Sequence, residues 1–164
     1  MLPQVVQDAL NKQIRMELGS SYSYLGMSAF CELNNFLGSA KWMQMQSEEE
    51  RGHAMKLYNF LIARGCEVKL EALDAPLRDF TSIPHVFKCA LEQEHAVSDA
   101  INELYELAHQ EKAFAALVEL QWFITEQVEE EKSVREIVAK FDMLKDDPSA
   151  MLDLDRELGE RQPE

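Results

Sequence analysis

Four glutamates and one histidine are spaced so that they could hold metal ions. Glu50 and His53 are three residues apart, so a helix would place both on the same face one turn apart. Glu17, Glu94 and Glu130 each interrupt an otherwise apolar helical stripe. Carboxylate oxygens with a single imidazole suit ferrous iron or manganese better than zinc or copper. These residues therefore indicate a divalent-cation site, provided that the fold brings them together.

The polar residues on the stripes also form an internal repeat. A single offset of 77 residues relates three pairs: Glu17 and Glu94, Glu50 and Gln127, and His53 and Glu130. Two halves of the chain therefore supply matching parts of one site.

Charge balance favours two metal ions. Burying the four glutamates together without a counter-ion costs on the order of several kcal/mol per ion, and no Lys or Arg occupies the stripes at this level. Two divalent cations would balance the four negative charges. Protonation of two carboxylates is the metal-free alternative, and a helical adaptor with a solvated polar layer is a second, non-enzymatic one.

Long helices must position these residues. Helical patterns cover about residues 3–32, 36–64, 82–110 and 112–144, with a short fifth helix over about 149–158. Asn34-Asn35 and Gly65 mark breaks, and Ser82 is a candidate N-cap. Residues 66–81 are long enough to cross a bundle. We therefore predict an all-α, up-down-down-up four-helix bundle with a long crossover, as one domain over residues 1–164.

Composition limits the other possible functions. Thirty Asp and Glu against 16 Lys and Arg give a net charge of -14, which disfavours nucleic acid and anionic membrane surfaces as partners. Three cysteines without a CxxC pair are typical of a reducing compartment, so we expect the cytoplasm. The first residues lack the pattern of a signal peptide, and no 18-residue apolar run is present.

On these residues the chain resembles the bacterial non-haem ferritins over essentially its whole length. The match rests on Glu17, Glu50-x-x-His53, Glu94 and Gln127-x-x-Glu130, together with the helix spacing and the short fifth helix. The resemblance implies a ferritin-like fold and a dinuclear iron centre. In it Glu17, Glu50 and His53 bind the first iron, with Gln127 nearby in a hydrogen-bonding role. Glu50, Glu94 and Glu130 bind the second.

The resemblance also implies an activity and an assembly. Ferrous iron is oxidised at the pair by dioxygen or peroxide and stored as ferric mineral in a 24-subunit shell. A third iron site would fall on four glutamates: Glu49, Glu126, Glu129 and Glu130. Without the resemblance, these four positions would be interpreted as a solvated acidic face. The family has a redox-capable tyrosine at the position of Tyr24, although a core tyrosine bonded to a carboxylate is an equal alternative.

Several residues differ from the pattern of two related families, the bacterioferritins and the rubrerythrins. Bacterioferritins and rubrerythrins carry a second Glu-x-x-His where this chain has Gln127-Val-Glu-Glu130, so the centre is expected to be asymmetric. Arg51 occupies the position of the haem-binding methionine, and Met55 is one turn away, so we expect no haem. A small-oligomer di-iron oxidase or peroxidase without storage remains the alternative function.

Overall fold

Five α-helices account for most of residues 1–163, the part of the chain that the computed structural model describes. They are α1 (Gln4–Leu33), α2 (Leu37–Ala63), α3 (Ile83–Gln110), α4 (Phe114–Leu144) and α5 (Pro148–Gly159). All boundaries fall within two residues of the predicted ones, and the all-α class is confirmed. None of the helices in this range combines the length and apolarity that a membrane-spanning segment requires.

Two tight turns fold α1 against α2 and α3 against α4. Asn35 and Lys112 adopt left-handed backbone conformations, with φ of 63° and 54°. At the first turn the amide of Phe36 donates to the carbonyl of Cys31 at 2.9 Å, which closes the end of α1 as a Schellman motif does. The left-handed Lys112 explains why α4 begins at Phe114, two residues later than predicted.

A long crossover, residues 64–82, joins the two hairpins and makes α2 and α3 parallel. Gly65, with φ of 68°, ends α2 as predicted, and the Ser82 hydroxyl accepts from the amide of His85 at the start of α3. The side chain of Asn11 on α1 bonds the crossover backbone twice, at 2.7 and 3.0 Å. Arg15 donates to the carbonyl of Ala72 at 2.8 Å. The crossover is therefore pinned to α1.

Helix α5 packs against the start of α2. Phe36, which precedes α2, has no side-chain acceptor with which to cap that helix. The carboxylate of Asp155 on α5 supplies the cap instead: it accepts from the amides of Gly38 at 3.0 Å and Ser39 at 2.7 Å, and from the Ser39 hydroxyl at 2.7 Å. Leu154 on α5 is buried.

The apolar core is divided into two clusters by a polar layer. The first apolar cluster contains residues that come before Glu17 on α1, and its members include Leu10, Leu57, Ile101 and Leu120. The second apolar cluster lies toward α5, and its members include Met43, Phe87, Val134 and Phe141. Each of the four long helices contributes to both clusters and crosses the layer near its middle.

Candidate metal centre

The layer between the two clusters holds buried polar side chains from all four long helices. None of the six predicted residues is more than 6% exposed: Glu17 from α1, Glu50 and His53 from α2, Glu94 from α3, and Gln127 and Glu130 from α4. Antiparallel packing of helices of similar length brings their midpoints to one level. The fold therefore places the six side chains at one location.

One group of potential ligands comes from the first hairpin alone. His53 Nδ1 lies 3.2 Å from Glu50 Oε2 and 3.9 Å from Glu17 Oε2. One ligand atom from each of these three residues lies within 4.8 Å of the other two. Two carboxylates and an imidazole at this separation can surround a single divalent cation.

A second group shares a residue with the first. Ligand atoms of Glu50, Glu94 and Glu130 also lie within 4.8 Å of one another. Glu50 belongs to both groups, so its carboxylate could contribute a ligand atom to either one. The second hairpin contributes Glu94 and Glu130, as the offset of 77 residues predicts.

Three carboxylate oxygens in this layer accept no hydrogen bond from an amide, imidazole or hydroxyl group. Among the buried side-chain atoms of residues 1–163, Glu17 Oε2, Glu50 Oε1 and Glu130 Oε1 accept no hydrogen bond. Buried polar atoms are nearly always paired, and an unpaired carboxylate oxygen is costly. These three oxygens belong to neighbouring residues in the layer, and each has lone pairs that it could donate to a cation.

Hydrogen bonds orient the remaining carboxylate oxygens. Gln13 donates to Glu17 at 2.8 Å, Gln46 donates to Glu130 at 2.5 Å, and Gln127 donates to Glu94 at 3.2 Å. The resemblance predicts a hydrogen-bonding role for Gln127, but the sequence analysis does not predict one for Gln13 or Gln46. Each of these two lies four residues, about one helical turn, before a predicted ligand on the same helix, Glu17 or Glu50.

Tyr24 lies beside the layer, and its hydroxyl donates a short hydrogen bond to Glu94. Burial, and then the charge of Glu94, raises the pKa of Tyr24 well above 10. The phenol therefore keeps its proton at neutral pH and holds Glu94 in place. This contact is the carboxylate-bonded arrangement that the sequence allowed, and a redox role stays a prediction.

Burial changes the protonation of the carboxylates themselves. It raises the pKa of Glu17 and raises that of Glu50 well above the ordinary value. Burial and the neighbouring Glu94 raise the pKa of Glu130 to about 9. Without cations, Glu130 therefore holds a proton at neutral pH. Cations that bind in this layer would displace protons from its carboxyl groups.

The structure brings only two of the four glutamates of the predicted third site, Glu126 and Glu130, into one group of potential ligands. Glu126 Oε1 lies 4.0 Å from His53 Nε2, and ligand atoms of His53, Glu126 and Glu130 lie within 4.8 Å of one another. Glu129 is exposed on α4. Glu49 forms an ion pair with Arg161 at 2.8 Å. No local sequence pattern predicts this ion pair, because 112 residues separate the two side chains.

Comparison with known proteins gives a consistent result. A family model described as "Ferritin-like domain" matches residues 7–144. A bacterial non-heme ferritin from Staphylococcus aureus is 36% identical over 161 residues, which cover 98% of this chain and 97% of that protein. A closed form of the Archaeoglobus fulgidus ferritin, engineered by mutagenesis, matches with a TM-score of 0.98 and 40% identity over the whole of both chains. An open-pore ferritin from the same archaeon matches with a TM-score of 0.97 and 41% identity, over 99% of this chain and 100% of that one.

Proposed function

The chain belongs to the ferritin family, and on that premise we propose that it oxidises ferrous iron at a dinuclear centre and stores the ferric product inside a cytoplasmic shell of 24 copies. Family membership supports iron storage and ferroxidase activity in general. The solved relatives named for their closed form and open pore support assembly into a cage.

One observation gives the main support for a dinuclear iron centre. Two groups of three ligands share Glu50, and unpaired buried oxygens occur in both groups. A polar layer built for register alone would pair its buried oxygens within the protein. The unpaired atoms favour cations over a non-enzymatic adaptor.

In the proposed reaction, two ferrous ions are substrates. Glu17, Glu50 and His53 bind the first ion, and Glu50, Glu94 and Glu130 bind the second. Each ion loses one electron, and dioxygen takes up both electrons and two protons to become hydrogen peroxide; peroxide can itself serve as the two-electron oxidant, giving water. The protein holds both electron donors close together in a carboxylate field that favours the ferric charge.

We extend the proposal to a third iron site next to the pair. It uses Glu126 and Glu130, with Glu49 and Glu129 as the further carboxylates. The short distance from Glu126 to His53 and the grouping of their ligand atoms with Glu130 support it. An ion there would lie next to the pair.

Storage is tested by loading iron in air. We expect excess ferrous iron to stay in solution and to form electron-dense cores within hollow particles, because a shell isolates the ferric mineral. Light scattering and electron microscopy of the native protein provide the measurement. A dimer that precipitates ferric iron after oxidising it would favour the small-oligomer oxidase instead.

Anaerobic iron binding at pH 7 should release at least about one proton per subunit, because metal binding requires deprotonated carboxylates. The folded-state pKa of Glu130 is raised from 4.5 to about 9. Its contribution to the stability of the metal-free protein is therefore fully present below pH 4.5 and is lost as pH rises toward about 9. Iron affinity should rise over the same interval.

Titration calorimetry in buffers of different protonation enthalpy measures the released protons. Glu48→Gln is the control, because Glu48 is an exposed carboxylate outside the layer and outside the proposed third site. Binding heats that do not depend on the buffer would contradict the predicted proton exchange.

A further inference from the structure

Arg161 lies two residues beyond the end of α5, yet its side chain contacts three turns of α2. The guanidinium donates to the Trp42 carbonyl at 3.3 Å, to Gln46 Oε1 at 3.0 Å and to Glu49 Oε1 at 2.8 Å. It also lies over the Trp42 ring, 4.6 Å from the centroid. The side chain is 18% exposed. The segment after α5 is thus tied to the face of α2 that leads to the metal centre.

One of these contacts reaches the dinuclear centre through Gln46. Arginine has no acceptor, so Gln46 must direct its carbonyl oxygen toward Arg161. Its amide nitrogen then faces Glu130 and donates to Oε2 at 2.5 Å. Arg161 therefore fixes the orientation of the amide that holds Glu130.

A second contact reaches the proposed third site. The guanidinium binds a carboxylate oxygen of Glu49 in a charge-assisted hydrogen bond, which is among the stronger kinds. A cation that binds Glu49 must compete with this bond and is also repelled by the positive charge. The same side chain thus restrains two carboxylates of one site, Glu49 directly and Glu130 through Gln46.

We propose that Arg161 is a positioning residue that controls the third site: its guanidinium occupies Glu49, and a cation gains that ligand only when the C-terminal segment releases it. This inference rests on the proposed function. It adds a control on iron binding that is built from the chain's own C-terminal segment. Of the dinuclear ligands, Glu130 is linked to Arg161 through Gln46.

The test is an anaerobic calorimetric titration of the full-length, metal-free protein with Mn²⁺, which suits the same carboxylate and imidazole ligands and is not oxidised without oxygen. Arg161→Gln should bind the third ion about tenfold more tightly than the unmodified protein, as expected when one competing charge-assisted hydrogen bond is removed. Arg161→Lys keeps the charge but not the forked geometry, so it should fall between the two. Circular dichroism verifies that each variant keeps its helices.

Two controls isolate the effect. Arg156→Gln removes a positive charge from α5 itself, where Arg156 pairs with Asp153, and should leave the third-ion affinity unchanged. In a Glu49→Gln background, Arg161→Gln should strengthen binding less, because the competition for Glu49 has been removed while the charge of Arg161 and its bond to Gln46 remain. A gain of the same size there would overturn the role of Glu49.

The titration separates the inference from the proposed function. Failure of the unmodified protein to bind two ions would overturn the proposed function. Two tightly bound ions in every variant, with the same third-ion affinity in Arg161→Gln and Arg156→Gln, would overturn the inference alone. The absence of a third ion in all variants would overturn it as well.

Discussion

Replacing Glu50 with Ala should lower the initial rate of ferrous oxidation by more than about a hundredfold, beyond the roughly 10–100-fold cost of losing an outer-shell partner of a metal ligand. Glu50 belongs to both ligand groups, so its loss weakens both sites and removes the bridge between them. The helices should stay folded, since the substitution also removes a buried carboxylate whose pKa burial raises well above its ordinary value. Stopped-flow absorbance with excess ferrous iron measures the rate.

Glu48 provides a matched control for that substitution. It is a glutamate on the same helix but is exposed. Glu48→Ala should oxidise iron at the unmodified rate. If Glu50→Ala did the same, the assignment of the dinuclear centre to this layer would have to be abandoned.

Gly38→Ala should destabilise the metal-free protein by about 3 kcal/mol, combining a lost helix cap with overpacking. A Cβ at Gly38 would lie 1.8 Å from the carbonyl oxygen of Asp155, a backbone atom that can move only if α5 moves. Moving α5 would break the three hydrogen bonds that Asp155 accepts at the start of α2. Chemical unfolding at fixed protein concentration measures the change.

The control for this prediction is Gly52→Ala on the same helix. A Cβ at Gly52 meets no atom of residues 1–163 within 4 Å, apart from its immediate surroundings along the helix. This change should stabilise the protein by up to about 1 kcal/mol, because alanine favours helix over glycine. Equal effects of the two substitutions would show that contact with α5 does not explain the need for Gly38.

The sequence predicts the helices and the gathered ligands because both depend on local patterns. Apolar residues every three or four positions define the stripes, Ser82 and Gly65 mark helix ends, and the polar breaks in the stripes mark the layer. The offset of 77 residues adds the pairing of the two hairpins. When long helices are joined by short turns, they pack antiparallel, and the polar residues near their midpoints come to the same level.

Contacts between distant segments could not be predicted in this way. Asp155 caps α2 from 117 residues away, and Arg161 reaches Glu49 across 112 residues. Neither contact leaves a periodic signal, because each depends on where α5 packs in three dimensions. The orientation of the Gln46 amide depends in turn on Arg161. The hydrogen bond from Gln46 to Glu130 therefore could not be predicted from the sequence either.

The division of the core has a consequence for how the metal-free protein moves. Each long helix is anchored in one apolar cluster, crosses a layer of unpaired or protonated carboxylates, and is anchored again in the other cluster. Amide hydrogens near Glu17, Glu50, Glu94 and Glu130 should exchange with solvent faster than those on either side, because local opening there exposes little apolar surface. Two bound ions would crosslink the four helices at the polar layer. The two apolar clusters would then unfold together as one cooperative unit.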